Sequence, residues 1–240
     1  KVYNHLGDFF CSVCGYKSPA AEVLCTQINS SDSSSSNITC LLSDKTSNFT
    51  INLPGVYNIY NALSAITLAN LLCIDQSIIE EAVSTFECGF GRMETIYADN
   101  KFIKIILVKN PTGFDQVISY LTSMKTQNLN MIFAINDKLA DGTDISWLWD
   151  VEFEKLLESL PSIDWIYTSG TRGLDMSLRL KYAGIPDSKL IYTPQYSDLI
   201  KQALNKINDQ ETLFILPTYT ALLDIRKHLG KKYKLKKFWQ

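Results

Sequence analysis

Beyond residue 95, short apolar runs alternate with longer stretches whose apolar residues recur at helical spacing. The runs predict strands at 102–108, 131–136, 165–169, 189–194 and 212–217. The stretches predict helices at 113–126, about 150–159, 172–183, 197–208 and 218–229. Strands that alternate with helices of this length are typical of βαβ units. The pattern therefore predicts an α/β domain with a parallel, Rossmann-like sheet and helices on both faces.

The first half of the chain has a different, β-rich pattern. Alternating runs at 22–28 and 38–44 predict a hairpin, and the turn-forming stretch 29–37 predicts its flexible tip. The residues that follow predict a strand at 49–54, a buried helix from Tyr57 to about Leu72, and a helix at 76–86 with Ser77 as N-cap and Glu80 as its capping-box partner.

Two glycines surround an arginine in the segment 89–94, Gly-Phe-Gly-Arg-Met-Glu. That composition favours a hinge, and it coincides with the change of pattern. We therefore expect a boundary there, with domains at 1–90 and 91–240.

Composition narrows the class of protein. The 240 residues are 46% hydrophobic and 20% charged, with a formal net charge of −2. This usage excludes wholesale disorder and argues against nucleic acid as the main partner. No apolar run approaches the roughly 20 residues that span a bilayer. The start lacks both an initiator Met and a signal-peptide pattern, so we expect a piece of a longer product. Sparse cysteines favour the reducing cytoplasm.

Cys11 and Cys14 form a CxxC that Gly15 follows directly. Two thiolates at this spacing can hold one edge of a tetrahedral zinc site, which needs four ligands. His5, Cys25 and Cys40 are possible further ligands, and a pair of unligated thiols is the simpler alternative. A redox CxxC is less favoured, because such motifs open a helix.

Three other groups have the composition of a nucleotide site. Asn58 and Asn61 stand at i, i+3 near a predicted helix start, where their amides can suit the edge of an adenine ring. The alternative is an N-cap and a surface residue. Arg92 can bind phosphate at the hinge, or form an ordinary salt bridge. Lys109 and Asn110 begin a tight turn after a strand.

The segment 136–150 holds four aspartates and two tryptophans after a predicted strand. Loops of this length are often functional. Its carboxylates can orient a histidine, bind magnesium or cap a helix. Capping accounts for one or two of Asp144, Ser146 and Asp150, but not for the whole set.

Together these motifs resemble the Mur ligase family. The run PGVYNIYNALSAITLA is similar to the family's G-x-[HY]-N-x-x-N-A-L-A-A helix start, and FGRME is similar to its hinge G-R-x-E. Three further segments narrow the resemblance to the MurT type. They are the CxxC turn at 11–15, the loop INDKLADGTDISWLWD and the late segment TYTALLDIR. This type is the ligase-like subunit of lipid II isoglutaminyl synthase.

The resemblance implies a Mur ligase central domain that ends within residues 1–90 and carries a β-rich, four-cysteine zinc ribbon, of which about 1–50 form half. It also implies a C-terminal α/β domain that docks a glutamine amidotransferase subunit of the GatD type. The family's phosphate loop, its magnesium carboxylates and the other CxxC are expected upstream of Lys1.

By the same resemblance, the reaction uses ATP and Mg²⁺ to amidate the D-glutamate α-carboxyl of lipid II through an acyl phosphate, with ammonia from the partner. Asn58 and Asn61 match the adenine contacts, Arg92 the hinge arginine, and Lys109 and Asn110 the ribose side. One loop aspartate completes the partner's Cys-His pair in trans; Asp150 is favoured, then Asp141 and Asp144.

Two other functions fit the residues less well. The chain could be a docking and activating module for a glutamine amidotransferase, without chemistry of its own, since it lacks a GxxxxGK[ST] loop. It could also be an ordinary nucleotide-binding Rossmann enzyme, but no GxGxxG follows any strand.

Overall fold

The structure is a computed structural model that describes residues 9–31, 35–42, 45–86, 91–124, 128–233 and 235. The chain divides into two compact units, Lys1–Phe86 and Glu87–Gln240. The sequence pattern places the boundary slightly later, after residue 90.

The first unit contains an antiparallel sheet of order β1-β2-β3 and two helices. Its elements are β1 (Val23–Ser31), β2 (Ser36–Leu42), β3 (Lys45–Ile51), α1 (Val56–Leu71) and α2 (Gln76–Thr85). Alternate residues of β2 are buried, which places Ile38, Cys40 and Leu42 in a core with side chains of β3 and both helices.

The first hairpin is longer than its sequence predicts. Residues 29–31 and 36–37, expected in the flexible tip, belong to β1 and β2 instead. Polar side chains stabilise this extension, because Asn37 Nδ2 donates to Ser30 Oγ across the strands at 2.8 Å. His5, considered as a zinc ligand, lies outside the described residues.

The two helices also differ in detail from the prediction. Helix α2 begins at Gln76 after Asp75, so Ser77 lies inside the helix and is not its N-cap. Glu80 accepts a hydrogen bond from Gln76 Nε2 at 2.7 Å rather than forming a capping box. Of the residues of α1, only Asn58, Ile59 and Ile66 are buried, so this helix buries one face.

The second unit contains a six-stranded sheet of order β4-β5-β9-β6-β7-β8. Its strands are β4 (Arg92–Ala98), β5 (Lys101–Ile106), β6 (Asn130–Ala134), β7 (Ile166–Ser169), β8 (Leu190–Tyr192) and β9 (Thr212–Pro217). Its α-helices are α3 (Pro111–Ser123), α4 (Gly173–Tyr182), α5 (Tyr196–Lys206) and α6 (Tyr219–Leu229). Strands β5 to β9 pair in parallel, which confirms the predicted α/β class with a parallel sheet.

Two elements of this unit were not predicted correctly. Strand β4 pairs antiparallel with β5 through a turn at Asp99 and Asn100, both with left-handed backbone angles. The predicted helix at about 150–159 is wrong: 3₁₀ helices occupy Ser146–Asp150 and Phe153–Ser162. Pro161 lies within the second of these and lacks the N–H that a continuing α-helix would use.

Candidate functional site

The carboxyl ends of three parallel strands meet at Asn136, which is 3% exposed. Its backbone N–H donates to Thr218 Oγ1 and its Nδ2 donates to Thr220 Oγ1, both at 2.9 Å. Its Oδ1 accepts from the Thr171 backbone N–H at 2.9 Å. One amide side chain therefore ties the ends of β6, β7 and β9 together.

Gly170 allows the chain to turn closely beneath this amide. It has a φ of +91°, and a Cβ built there would lie 2.3 Å from the Ile135 carbonyl oxygen. The Tyr196 hydroxyl donates to Asn136 Oδ1 at 3.2 Å, and burial raises the pKa of Tyr196 to about 12. That hydroxyl is therefore a fixed donor at neutral pH.

An ion pair forms the rim of the same network. Arg172 Nε lies 2.7 Å from Asp137 Oδ2, and Thr171 Oγ1 donates to Asp137 Oδ1 at 2.8 Å. The hydrogen bond from Thr171, then that from Arg172, lowers the pKa of Asp137. The Asp137 carboxylate is therefore ionised and already engaged within the unit.

Asp141 is 8% exposed, and its carboxylate accepts three hydrogen bonds from the described residues. Thr220 donates to it through its backbone N–H at 2.7 Å and its hydroxyl at 2.6 Å. The Lys138 backbone N–H donates at 3.2 Å. Asp141 thus anchors the loop to the first turn of α6.

Asp144 is exposed and caps the following 3₁₀ helix from outside. Its Oδ1 accepts from the Ser146 backbone N–H at 2.8 Å. The backbone and then the side-chain hydrogen bond of Ser146 lower the pKa of Asp144. Capping therefore explains this aspartate.

Asp150 ends the 3₁₀ helix Ser146–Asp150 and is exposed. No donor among the described residues contacts its carboxylate. The backbone on either side is held, however, by the buried guanidinium of Arg179. Its Nε donates to the Leu148 carbonyl at 3.2 Å and its Nη2 to the Val151 carbonyl at 2.7 Å. Asp150 is thus an available carboxylate on a fixed backbone.

Further contacts make this segment rigid. The Arg179 guanidinium lies 5.5 Å from the centroid of the Trp149 ring and 2.9 Å from Glu154. Trp149, 53% exposed, also packs edge-on against Tyr182 at 5.5 Å. Trp147 lies on the inner side, against Phe114. The two tryptophans therefore separate into one inward and one outward residue.

The predicted adenine contacts lie together in the first unit. Asn61 Nδ2 lies 3.4 Å from Asn58 Oδ1, and Asn58 Nδ2 donates to the Pro54 carbonyl at 2.8 Å. Asn58 is buried, and its Nδ2 is already engaged in stabilising the turn before α1. Both amides line a largely apolar cavity of about 400 Å³.

The other predicted nucleotide residues lie on the surface of the second unit. Arg92 begins β4 and is exposed. Lys109 is exposed beyond the end of β5. Asn110 is the N-cap of α3, since its Oδ1 accepts from the Gly113 backbone N–H at 2.8 Å. Asn110 therefore has a structural role whatever else it contacts.

Cys11 and Cys14 lie on a knuckle turn. Gly15 has a φ of +74°, and its N–H donates to the Cys11 carbonyl at 3.0 Å. Backbone hydrogen bonds from Cys14 and then Val13 lower the pKa of Cys11, as suits a thiolate ligand. The described residues hold no cluster of three or more Cys, His, Asp or Glu that could bind a metal ion. The pair therefore fits half of a zinc site, and Cys25 and Cys40 do not complete it.

Sequence reasoning missed Arg179, the buried residue that holds the loop backbone. Arg179 carried a weak signal, because it falls at a buried position of an amphipathic helix, where a charged residue needs a partner. Among the described helices, none is long and apolar enough to cross a membrane.

Residues 107–222 match the family described as MurT ligase C-terminal. The MurT subunit of lipid II isoglutaminyl synthase (glutamine-hydrolyzing) of Streptococcus pneumoniae is 30% identical over 98% of this chain and 51% of its own length. The corresponding subunit of Staphylococcus aureus is 28% identical over 97% of the chain and 50% of its length. The chain thus spans about half the length of these curated relatives.

Solved structures show the same fold. A pseudomurein peptide ligase type C from Methanothermus fervidus superposes with a TM-score of 0.66, at 20% identity, over 94% of this chain and 44% of its own. The ligase MurC of Thermotoga maritima gives 0.65, at 14% identity, over 88% and 45%. Residues 107–222 therefore match the MurT ligase C-terminal family, and nearly the whole chain is similar to MurT subunits.

Proposed function

We propose that this chain is part of a ligase subunit that amidates the D-glutamate α-carboxyl of lipid II, using ATP and ammonia from a GatD-type glutamine amidotransferase. The observation that carries the proposal is the similarity to two MurT subunits over at least 97% of the chain. Such an enzyme would act on lipid II at the cytoplasmic face of the membrane.

The chemistry requires two activations. A carboxylate is a poor electrophile, and transfer of the γ-phosphoryl group of ATP converts it into an acyl phosphate. Ammonia attacks the acyl carbon and phosphate leaves. Mg²⁺ would neutralise charge on the transferred group, although the described residues offer no ligand cluster for it.

The chain supplies only part of this apparatus. It has no GxxxxGK[ST] motif and spans half the length of its relatives. Of the contacts with ATP, we therefore assign to this chain only those with the adenine, the ribose and the phosphates that its own residues can make. Asn61, with its amide beside Asn58 at the cavity, is proposed to face the adenine. Arg92, Lys109 and Asn110 are proposed on the phosphate and ribose side. Cys11 and Cys14 are proposed to hold half of a structural zinc ion.

Asp150 is our candidate for the residue that completes the partner's active site. An aspartate in that role accepts from the imidazole N–H, fixes the tautomer and stabilises the imidazolium. Asp141 is buried and holds α6, and Asp144 caps its own loop. Asp150 has an unengaged carboxylate among the described residues and a backbone fixed by Arg179. These environments favour it over the other two.

The test is the glutaminase activity of the partner with and without this chain. Asp150→Asn keeps the shape of the side chain but presents an amide to the imidazole. We expect it to lower the stimulated turnover by roughly two to four orders of magnitude. Gel filtration should show an unchanged complex, because only one exposed side chain is altered.

Asp164→Asn is the matched control, since Asp164 is exposed at the amino end of β7, the opposite end from the loop. It should stimulate as the wild type does. Full stimulation by Asp150→Asn would refute the role of Asp150 and transfer it to Asp144 or Asp141. Binding of the wild-type chain without any stimulation would favour the docking module instead.

A further inference from the structure

Two cysteines of the first unit lie directly opposite each other in the sheet. Cys25 of β1 and Cys40 of β2 are register partners in an antiparallel pair, and neither is in a disulfide. Opposed residues of such a pair have Cα atoms about 4.5–5.5 Å apart. A disulfide bridges Cα atoms at roughly 4.4–6.8 Å. The Cα spacing of opposed residues is therefore compatible with a disulfide between these two cysteines.

Both thiols are on the core side of the sheet. Cys40 is fully buried beside Ile38 and Leu42, and Cys25 packs against the same core cluster. Burial, and then the neighbouring Cys25 thiol through charge and a hydrogen bond, raises the pKa of Cys40 to about 12. The two side chains are thus within reach of each other, and the Cys40 thiol must give up its proton as its sulfur bonds.

Only one of the pair is open to solvent. Cys25 is partly exposed and lines a groove of about 560 Å³ between β1 and α1, together with Val56 and Tyr60. A small oxidant in this groove contacts Cys25 first, because Cys40 is buried. An accessible thiol next to a second thiol is the arrangement in which a sulfenic acid condenses to a disulfide.

We propose that Cys25 and Cys40 are a reversible redox pair, oxidised by peroxides. The Cys25 sulfur attacks hydrogen peroxide, giving a sulfenic acid and one water. The Cys40 sulfur then attacks the Cys25 sulfur, and the hydroxyl leaves as a second water with the Cys40 proton. Two thiols and one peroxide thus give one disulfide and two waters. A dithiol reductant returns both cysteines to thiols and is itself oxidised to a disulfide.

The bond would have a mechanical effect on the sheet. Strand β1 is an edge strand whose residues are mostly exposed, and its pairing with β2 is irregular just after Cys25. A covalent link at that irregularity holds the edge strand in place. We therefore expect the first unit of the oxidised chain to melt several degrees higher than that of the reduced chain.

Peptide mapping tests the pair directly, because no Lys or Arg lies between Lys17 and Lys45. Trypsin releases both cysteines in the single peptide 18–45, whereas Cys11 and Cys14 are in peptide 2–17 and Cys73 and Cys88 in peptide 46–92. The reduced full chain is treated with hydrogen peroxide, alkylated and digested. We expect the mass of peptide 18–45 to fall by two hydrogens, with no alkyl group attached. After dithiothreitol and a second alkylation, the same peptide should carry two alkyl groups.

Cys25→Ser is the first control, because its side chain is at the groove and not in the centre of the core. Its peptide should carry one alkyl group on Cys40 at every peroxide concentration, and its melting temperature should not respond to peroxide. Cys73→Ser, at an exposed cysteine of the same unit, should behave as the wild type.

The proposal is overturned if the wild-type peptide keeps two alkyl groups while Cys73 is oxidised. It is equally overturned if Cys25 becomes sulfinic acid with Cys40 still alkylated, or if Cys25 is found joined to another peptide. Because the mapping uses the wild-type chain, poor folding of a variant does not affect the result.

Discussion

The Asp141 carboxylate shows how a single residue can join two distant segments. It accepts three hydrogen bonds, two of them from Thr220 at the start of α6. Asp141→Ala leaves a partly buried backbone N–H without its acceptor and removes a negative charge from a helix N-terminus. We expect a loss of about 1–3 kcal/mol in the free energy of unfolding, measured by urea denaturation. Asp141→Asn, which keeps an acceptor, should lose less.

Asp144→Ala is the comparison at the same scale. Its carboxylate is exposed and, among the described residues, accepts only from Ser146, so the loss should be clearly smaller than that of Asp141→Ala. Equal losses at the two positions would mean that Asp141 does not anchor α6. Sequence could not separate these residues, because both are aspartates of one polar loop. Their difference comes from Thr220, which is 79 residues away along the chain.

The strands that the sequence predicted well are those whose own residues form a distinct apolar run. Strands β5, β6, β7 and β9 are short apolar runs, and each lies within the sheet between two neighbours. Strand β4 was missed although Arg92–Ala98 alternates in burial, because its glycine-rich start resembles a hinge. The turn Asp99-Asn100 was the signal for this hairpin, since both residues tolerate left-handed angles.

Part of the candidate site was also predictable from the sequence. Asn58 and Asn61 are three residues apart in one helix, and this spacing places their amides next to each other. The hydrogen bonds from Arg179 to the loop could not be predicted from the sequence, because their acceptors are backbone carbonyls about 30 residues earlier, at Leu148 and Val151. Any residue type provides such carbonyls, so no pattern marks them.

Gly170 and Gly142 give a matched test of how the turn after β7 is built. Both have a φ near +90°, but a Cβ at Gly170 meets the Ile135 carbonyl whereas a Cβ at Gly142 meets nothing within 4 Å. Gly142→Ala should cost only the backbone strain, about 1–2 kcal/mol. Gly170→Ala should cost this strain plus the free energy of displacing the Ile135 carbonyl, just beyond the end of β6. We expect at least about twice the loss by urea denaturation.

The same pair tests the polar network. In Gly170→Ala the Asn136 amide is also displaced, since its Oδ1 would lie 2.8 Å from the new Cβ. Near-ultraviolet circular dichroism should therefore change around Tyr196, which donates to that amide. Similar unfolding energies for the two variants would show that the turn is not close-packed.

For the whole molecule, the two units differ in how much core each can build. The described part of the first unit has a core cluster of eight buried residues, whereas one cluster of the second unit has nineteen. Smaller cores stabilise less. Helix α1 buries only one face and exposes Leu68 and Leu71, which further limits what it contributes.

We therefore expect the reduced chain to unfold in two steps, with the first unit unfolding at lower temperature. Hydrogen exchange resolved by peptide should show β1 to β3 losing protection several degrees before β5, β6 and β9. A fragment of residues 87–240 should keep its transition within a few degrees of the upper step, because its sheet and core are its own. One transition shared by both units, or a fragment that melts with the lower step, would mean that the second unit depends on the first for its stability.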